Sequence, residues 1–582
     1  MIDAKKNKKW VLQLLFVLLS ILFVAPILIH GYIFGDDIQF HIDRIYEISC
    51  NIKHFNLFPQ LYSYSFGRIG YLLNSFYPWL TLLPFSILLN IFHSQLISFC
   101  LGMSLYIFVG LNTTFLVAKK ISKEKIQALF TTIIYIFSGY LSVNLYCRFA
   151  LGEFLGMIFS PLAFYGLYAI LYGNKKDWPY LAWGMSLILM SHLLTGFILS
   201  LVFCIIIIAT IFKIKEKKSS LIALGKSFLV CLASSMIFLI PFLTQELGLK
   251  FEQPDPTPLQ STVGDLFNSI VISLGNKPEL QDMQNVECGV IIVLTLLLGV
   301  FFWKYFNKLE RISYVCAIFI YVCCNCAGLW SFLNKTPLTL IQFPNRLLSL
   351  VTFFASIAGG KILFLLVNKF GKKFIKWTSV LGIVLVLFPW VNQVSKQLDF
   401  EKTPAAAQAM DGQPMLTYKN TLFTDYFGFH FDNYTPADAM RSLSFITCHQ
   451  MKIDGETVQI PENEVISKPN GMEYRVNLKK GTKVELPIIY YLNLHAFQAN
   501  KKLKLSKGNN GDVSVVTKET NKPIYIEFIP SFLDCVGIII SISTWLIALM
   551  IWMKNIDICT KFRNFVKSIK RFYSRCIRWL AK

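Results

Sequence analysis

Uncharged apolar runs of about 20 residues recur along most of this chain, and a run of that length is what an α-helix needs to cross a bilayer. This feature constrains the fold most. Composition agrees with it. Of 582 residues, 54% are apolar and 15% are charged, where a soluble domain carries about 25% charged residues. Mean hydropathy is +0.52. An ordinary soluble enzyme is excluded, and 51 phenylalanines exclude a disordered chain. The chain reads as a polytopic α-helical membrane protein. One stretch, 397–529, breaks the pattern and reads as a water-facing domain.

The net charge of +22 suggests nucleic acid only until the basic residues are located. They fall in short clusters between apolar runs, as the positive-inside rule requires, so no nucleic-acid partner is expected. The 14 cysteines lie mostly within apolar runs, Cys323, Cys324 and Cys326 among them. They read as small packing residues, because a structural zinc site needs spaced Cys/His pairs. Neither metal nor cofactor is expected. The first apolar run follows Lys5–Lys9 and ends at Ile29-His30 without a small-residue cleavage site, so it reads as an uncleaved span.

Spans are predicted near 10–30, 95–118, 126–146, 151–172, 178–194, 195–213, 221–245, 289–306, 311–330, 346–368, 375–395 and 530–553, about 12 in all. With these, the clusters Lys119–Lys125, Lys175–Lys176, Lys213–Lys218, Lys304–Arg311 and Lys369–Lys376 and the basic tail 554–582 share one side with Lys5–Lys9. That side is expected to be cytoplasmic, with both termini on it. The model requires that the apolar stretch 71–92, which holds Pro78 and Pro84, does not cross. It also requires that the run 178–213 splits around His192–Gly196. The expected organisation is a transmembrane module, 1–396, with outer loops 31–94, 147–153, 246–288 and 331–346. An extracytoplasmic β-rich domain, 397–529, and a last span, 530–553, follow. Alternating runs such as Tyr474–Leu478 and Ile524–Phe528, with turn pairs Asp454-Gly455, Asn470-Gly471 and Asn510-Gly511, predict antiparallel strands.

Candidate functional residues gather in the outer segments. Read as a helix, the first loop places Ile38, Ile42, Ile45, Ser49 and Ile52 on one face, with Asp37, His41 and Arg44 along its shoulder. Asp43 and Glu47 then point away, as in a helix lying on a membrane surface. Arg148 and Glu153 flank the junction of the third and fourth spans, and Glu153 sits at the membrane boundary, where ionisable residues are costly. His192 occupies an outer turn, and Gln342 and Arg346 open the tenth span. Taken singly, each has a structural explanation: a solvated helix, an ion pair, a satisfied histidine, a snorkelling arginine. Together, at similar depth, they suit chemistry on a lipid-linked phosphate. A transporter or flippase of lipid-linked saccharides, or a polysaccharide polymerase or ligase, are the alternatives.

The order of these motifs resembles the GT-C superfamily of membrane glycosyltransferases and, within it, the YfhO-like group of bacterial membrane proteins. The resemblance rests on the first loop with Asp36, Asp37, His41 and Arg44, on Asn74–Pro78, Arg148–Glu153, Ser191–Leu193 and Gln342–Arg346, and on Leu486–Tyr491 followed by Asn510-Gly511. It implies a GT-C-like fold in the plasma membrane. It also implies inverting transfer of a sugar from a polyprenyl-phosphate donor to a cell-envelope glycan or lipid acceptor, with a cytoplasmic-side synthase as the expected source of the loaded carrier. In that scheme Asp37 is the base, with Asp36 as alternative. Arg346, Arg148 and His192 serve the departing phosphate, and Glu153 orients Arg148 or the acceptor. His41, Arg44 and Gln342 bind substrate.

Overall fold

The computed structural model describes residues 2–33, 35–214, 216–251, 288–400, 402 and 434–556. Most of the expected outer loop 246–288, the stretch 403–433 and the tail from 557 lie outside the described residues.

The first half is built from helices α1 (Ile2–His30), α2 (Ile38–Lys53), α3 (Leu73–Phe76), α4 (Leu83–Phe92), α5 (Gln95–Ser122), α6 (Lys125–Ile136), α7 (Gly139–Tyr146), α8 (Leu151–Tyr172), α9 (Pro179–Leu189), α10 (Leu193–Thr210) and α11 (Lys217–Gly248). Helices Val290–Phe302, Lys308–Cys324 and Leu348–Phe400 follow, and Phe532–Ile556 comes last. Among the described residues, eight helices are long and apolar enough to cross a membrane. The other expected spans, 178–194, 289–306, 311–330 and 375–395, are helical too, but they do not reach that length and hydropathy as separate described helices.

Side-chain contacts fix the helix directions. Phe16 packs on Phe115 and Tyr32 on Phe99, so α1 and α5 are antiparallel. The chain between them therefore starts and finishes at one end of the bundle. The stretch 71–92 makes no net crossing and is broken into α3, a 3-10 turn at Leu80–Leu82, and α4. A Cβ on Gly166 would overlap the Leu181 backbone, and one on Gly184 the Ala163 backbone. Helices α8 and α9 are thus antiparallel and in backbone contact, as small residues permit between membrane helices. His192 caps α10, so the run 178–213 divides where expected. The segment Leu348–Phe400 packs Gly360 on Thr131 and Gly382 on Phe130. A straight helix would separate those glycines by about 33 Å, so the segment doubles back.

Links from these helices meet at one end. Lys120 pairs with Asp177 at 3.0 Å and Lys175 with Glu216 at 2.7 Å. The opposite end carries the β structure, two five-stranded antiparallel sheets in the orders β2-β1-β5-β9-β8 and β3-β4-β10-β6-β7. The strands are β1 (Gln450–Ile453), β2 (Glu456–Gln459), β3 (Val465–Lys468), β4 (Gly471–Tyr474), β5 (Lys483–Ile489), β6 (Leu494–Gln498), β7 (Lys501–Leu503), β8 (Leu505–Lys507), β9 (Asp512–Val516) and β10 (Ile524–Phe528). Both sheets contribute to one core, with Val484, Leu486 and Val513 from the first and Met472, Ala496 and Ile526 from the second. Asp454-Gly455 forms the predicted β1–β2 turn, with positive φ at both residues, as a two-residue hairpin of this hand needs. Asn470 takes the left-handed position one residue earlier than expected, and Gly471 already belongs to β4. The alternation at Tyr474–Leu478 is real in burial, but only Tyr474 is in a ladder.

Helix α2 departs from expectation. Ile38, Ile42, Ile45 and Ser49 of its apolar stripe are buried and Ile52 is half-buried, but Asp43 and Glu47 are buried as well. Glu47 accepts the backbone N–H groups of Ser63, Tyr64 and Ser65 and the Ser65 hydroxyl at 2.8–3.0 Å. The loop 58–73 packs into the β core and covers this side of the helix. Helix α2 is therefore an interior helix rather than one lying on a lipid surface.

Candidate active site

A cavity of about 790 Å³ opens at the helix ends on the side that carries the β structure. Asp36, Asp37, His41, Arg148, Glu153, His192, Gln342 and Arg346 all line it. Eight of the nine residues singled out in the sequence thus converge from four chain segments.

The first loop is held on the second. The Asp36 and Asp37 N–H groups donate to the Cys147 and Arg148 carbonyls at 3.1 and 2.9 Å. Gly35 permits this approach, since a Cβ there would meet Phe149 and the Cys147 carbonyl at 2.9 and 3.0 Å. Asp36 is exposed within the cavity. Desolvation by the surrounding protein, and the charge of Asp37 beside it, push its carboxyl up to about 6, while Arg148 pulls the other way.

Arg148 and Arg346 share one carboxylate. Glu153 Oε2 lies 3.1 Å from Arg148 Nη1 and 3.6 Å from Arg346 Nε. The Tyr140 hydroxyl donates to Glu153 Oε1 at 2.5 Å, and Arg148 Nη1 also donates to Asn144 Oδ1 at 2.7 Å. Tyr140 and Asn144 were not among the expected residues. Their signal is present in the sequence: Tyr140 and Asn144, on an apolar helix, precede Arg148 at intervals of four residues. His192 caps α10, its Nδ1 accepting the Thr195 N–H at 3.3 Å. A neutral ring then carries its proton on Nε2.

Gln342 sits at φ 64°, ψ −52°, and Phe343 N–H donates to the Ile341 carbonyl at 2.8 Å. This is a γ-turn with positive φ, a strained conformation for a residue with a side chain. The same carbonyl accepts from Arg346 Nη1 at 3.3 Å, which ties the arginine to the turn.

Arg44 is the residue that does not line the cavity. It is buried beneath it and donates to the Tyr77 and Pro78 carbonyls at 3.2 and 2.7 Å, with its guanidinium 4.2 Å from the Tyr77 ring centre. Its place is to hold the cavity wall. Phe76 and Tyr77, from the Asn74–Pro78 motif, and Phe251, Tyr434 and Glu246 also line the cavity; none of them was named as a site residue. Among the described residues, no three His, Cys, Asp or Glu side chains gather as metal ligands.

Among known proteins, an uncharacterized protein of Lactococcus lactis subsp. cremoris (strain MG1363) is 26% identical over 250 residues. The match spans 41% of this chain and 40% of that protein. Solved structures share 11–12% identity. They include the archaeal oligosaccharyltransferase AglB from Archaeoglobus fulgidus with an inhibitory peptide and a dolichol-phosphate (TM-score 0.41, 74% of this chain, 61% of that one). Arabinofuranosyltransferase AftD from Mycobacteria matches at TM-score 0.43 over 70% of this chain and 29% of its own. ArnT from Cupriavidus metallidurans bound to undecaprenyl phosphate matches at 0.39, over 70% and 80%. A family model described as 6-pyruvoyl-tetrahydropterin synthase related domain, membrane protein, matches residues 74–399, more than half of the chain. This chain therefore belongs to that family of membrane proteins, the YfhO-like family whose motifs its sequence resembles.

Proposed function

We propose that the protein is an inverting membrane glycosyltransferase that moves a sugar from a polyprenyl-phosphate carrier to an extracytoplasmic cell-envelope acceptor. The observation that carries this reading is the cavity itself. The carboxylates of Asp36 and Asp37 face the same space as two guanidinium groups and two imidazoles, with Glu153 and Glu246 also in its wall. The orientation follows from charge. The links holding Lys120, Lys175 and Lys176 lie at the end of the bundle away from the cavity, and the positive-inside rule assigns that end to the cytoplasm. The cavity and β structure then face outward, and both termini face inward.

The chemistry divides between the two groups of residues. Asp37, or Asp36 in its place, takes the proton from an acceptor hydroxyl, whose oxygen attacks the anomeric carbon. The bond from that carbon to the phosphate oxygen breaks on the opposite face, giving inversion in one displacement. The departing polyprenyl monophosphate has a second pKa near 6, so it leaves as an anion without a general acid. Arg148, Arg346 and the His192 Nε2–H stabilise the charge that grows on it. A cytoplasmic-side synthase would load the carrier. The test is transfer by purified protein from a polyprenyl-phosphate sugar to isolated envelope glycan or glycolipid, alongside mass spectrometry of envelope glycans with and without the gene. Carrier crossing the bilayer with no sugar transferred would favour a flippase instead.

A further inference from the structure

Glu153 is an uneconomical base. Its side chain is 3% exposed, and its oxygens already face three donors: the Tyr140 hydroxyl, Arg148 and Arg346. Little of the carboxylate is left to take a proton from an acceptor. What it does change is the charge of the site. Within this cluster, two guanidinium groups less one carboxylate leave one excess positive charge, while Asp36, Asp37 and Glu246 line the same cavity with or without Glu153. The donor of the proposed reaction is a phosphodiester with one negative charge, whereas the released monoester carries about 1.5 to 2. Removing Glu153 adds one positive charge to this cluster and would hold that product harder, since attraction scales with the product of the charges.

Resting on the proposed transferase reading, we propose that Glu153 is the counter-charge that lets the spent polyprenyl monophosphate leave. Tyr140 and Asn144 are the positioning residues that keep it, and Arg148, in place. Asn144 and Glu153 share Arg148 Nη1 at 2.7 and 3.1 Å, so two acceptors hold the guanidinium through that one nitrogen. Tyr140, fully buried on α7, fixes the other carboxylate oxygen. Both act through Glu153 or Arg148 rather than on substrate.

The test measures binding of a short-chain polyprenyl monophosphate to detergent-solubilised full-length protein, with single- and multiple-turnover transfer alongside. Glu153→Gln is expected to bind the monophosphate at least tenfold more tightly. It should show a first turnover followed by a slow steady state. Tyr140→Phe keeps every charge, so its affinity should stay within about threefold of wild type while its single-turnover rate falls severalfold. Wild-type binding with equal or weaker affinity in Glu153→Gln overturns the counter-charge role. A wild-type single-turnover rate in Tyr140→Phe overturns the positioning role, and this arm stands even where Glu153→Gln does not fold. No monophosphate binding by the wild type would overturn the transferase reading and this inference with it.

Discussion

Asp36 and Asp37 are neighbours in one loop, yet only Asp37 starts a helix. Asp37→Asn is nearly isosteric but cannot accept a proton, so turnover should fall at least about a hundredfold with normal insertion. Near-normal turnover would move the base to Asp36. The Asp36 carboxyl is pushed up to about 6 from 3.8, so it is protonated through pH 4–5 in the fold. A reaction that needs it anionic gains rate as pH rises through about 6, and kcat/KM should fall below that. Asp36→Asn should remove the limb, and an unchanged pH profile would exclude its titration from the rate. Arg346 meets Glu153 through Nε and the Ile341 carbonyl through Nη1. A lysine ammonium lacks the planar fork that makes these two contacts through separate nitrogens. Arg346→Lys should keep expression and lose most transfer, whereas a membrane-anchoring role would leave the rate intact. Most of these side chains were legible in the sequence, because charges in apolar surroundings stand out. Tyr140 and Asn144 were not, because a tyrosine or asparagine in an apolar helix looks unremarkable until the four-residue period that ends at Arg148 is counted.

Helix α2 shows what periodicity reveals and what it does not. Its apolar stripe was readable, but the partner on its far side is the loop 58–73, which is carried by a β core more than 400 residues away. Asn470 joins them: its Oδ1 accepts Gln60 N–H at 2.6 Å, and its Nδ2 donates to the Phe58 carbonyl at 2.8 Å. The sequence marks Asn470 as a turn residue only. Glu47 is the matching buried charge. Burial pushes its carboxyl up to about 7 from 4.5, against donors from Ser63, Tyr64 and Ser65 that favour the anion. A carboxyl raised in the fold binds more protons folded than unfolded. Its contribution to stability is therefore full below about pH 4.5 and is lost as pH rises toward 7. Glu47→Gln turns an amide N–H2 toward donors and should cost about 1–3 kcal/mol. Thermal unfolding of this variant should start lower at pH 4.5 and depend less on pH between 4.5 and 7. A slope equal to wild type would mean that Glu47 stays charged throughout.

At the scale of the molecule, helix directions and basic residues state the same geometry independently. Helix α8 carries Glu153 in its first turn, in the cavity, and leads to Lys175. Helix α10 begins at His192 and leads to Lys213, and α11 returns from Lys217 to Glu246. Each traverse joins the cavity end to a basic link, and the pairs Lys120–Asp177 and Lys175–Glu216 gather those links together. The alternation was legible because each basic link is short and each run apolar. The docking of the β structure was not, because it depends on single pairs such as Gln245 with the Leu492 backbone, donating and accepting at 3.1 Å. Sidedness is the consequence open to direct measurement. Glu456, in the exposed β1–β2 hairpin, and Lys176, in the α8–α9 link, are both exposed and lie at opposite ends of the bundle. A membrane-impermeant maleimide should label Glu456→Cys in intact cells above the wild-type background, and Lys176→Cys only after lysis. The reverse pattern would place the cavity on the cytoplasmic side. A donor there would meet cytoplasmic acceptors, and the envelope glycan would no longer be within reach of Asp37.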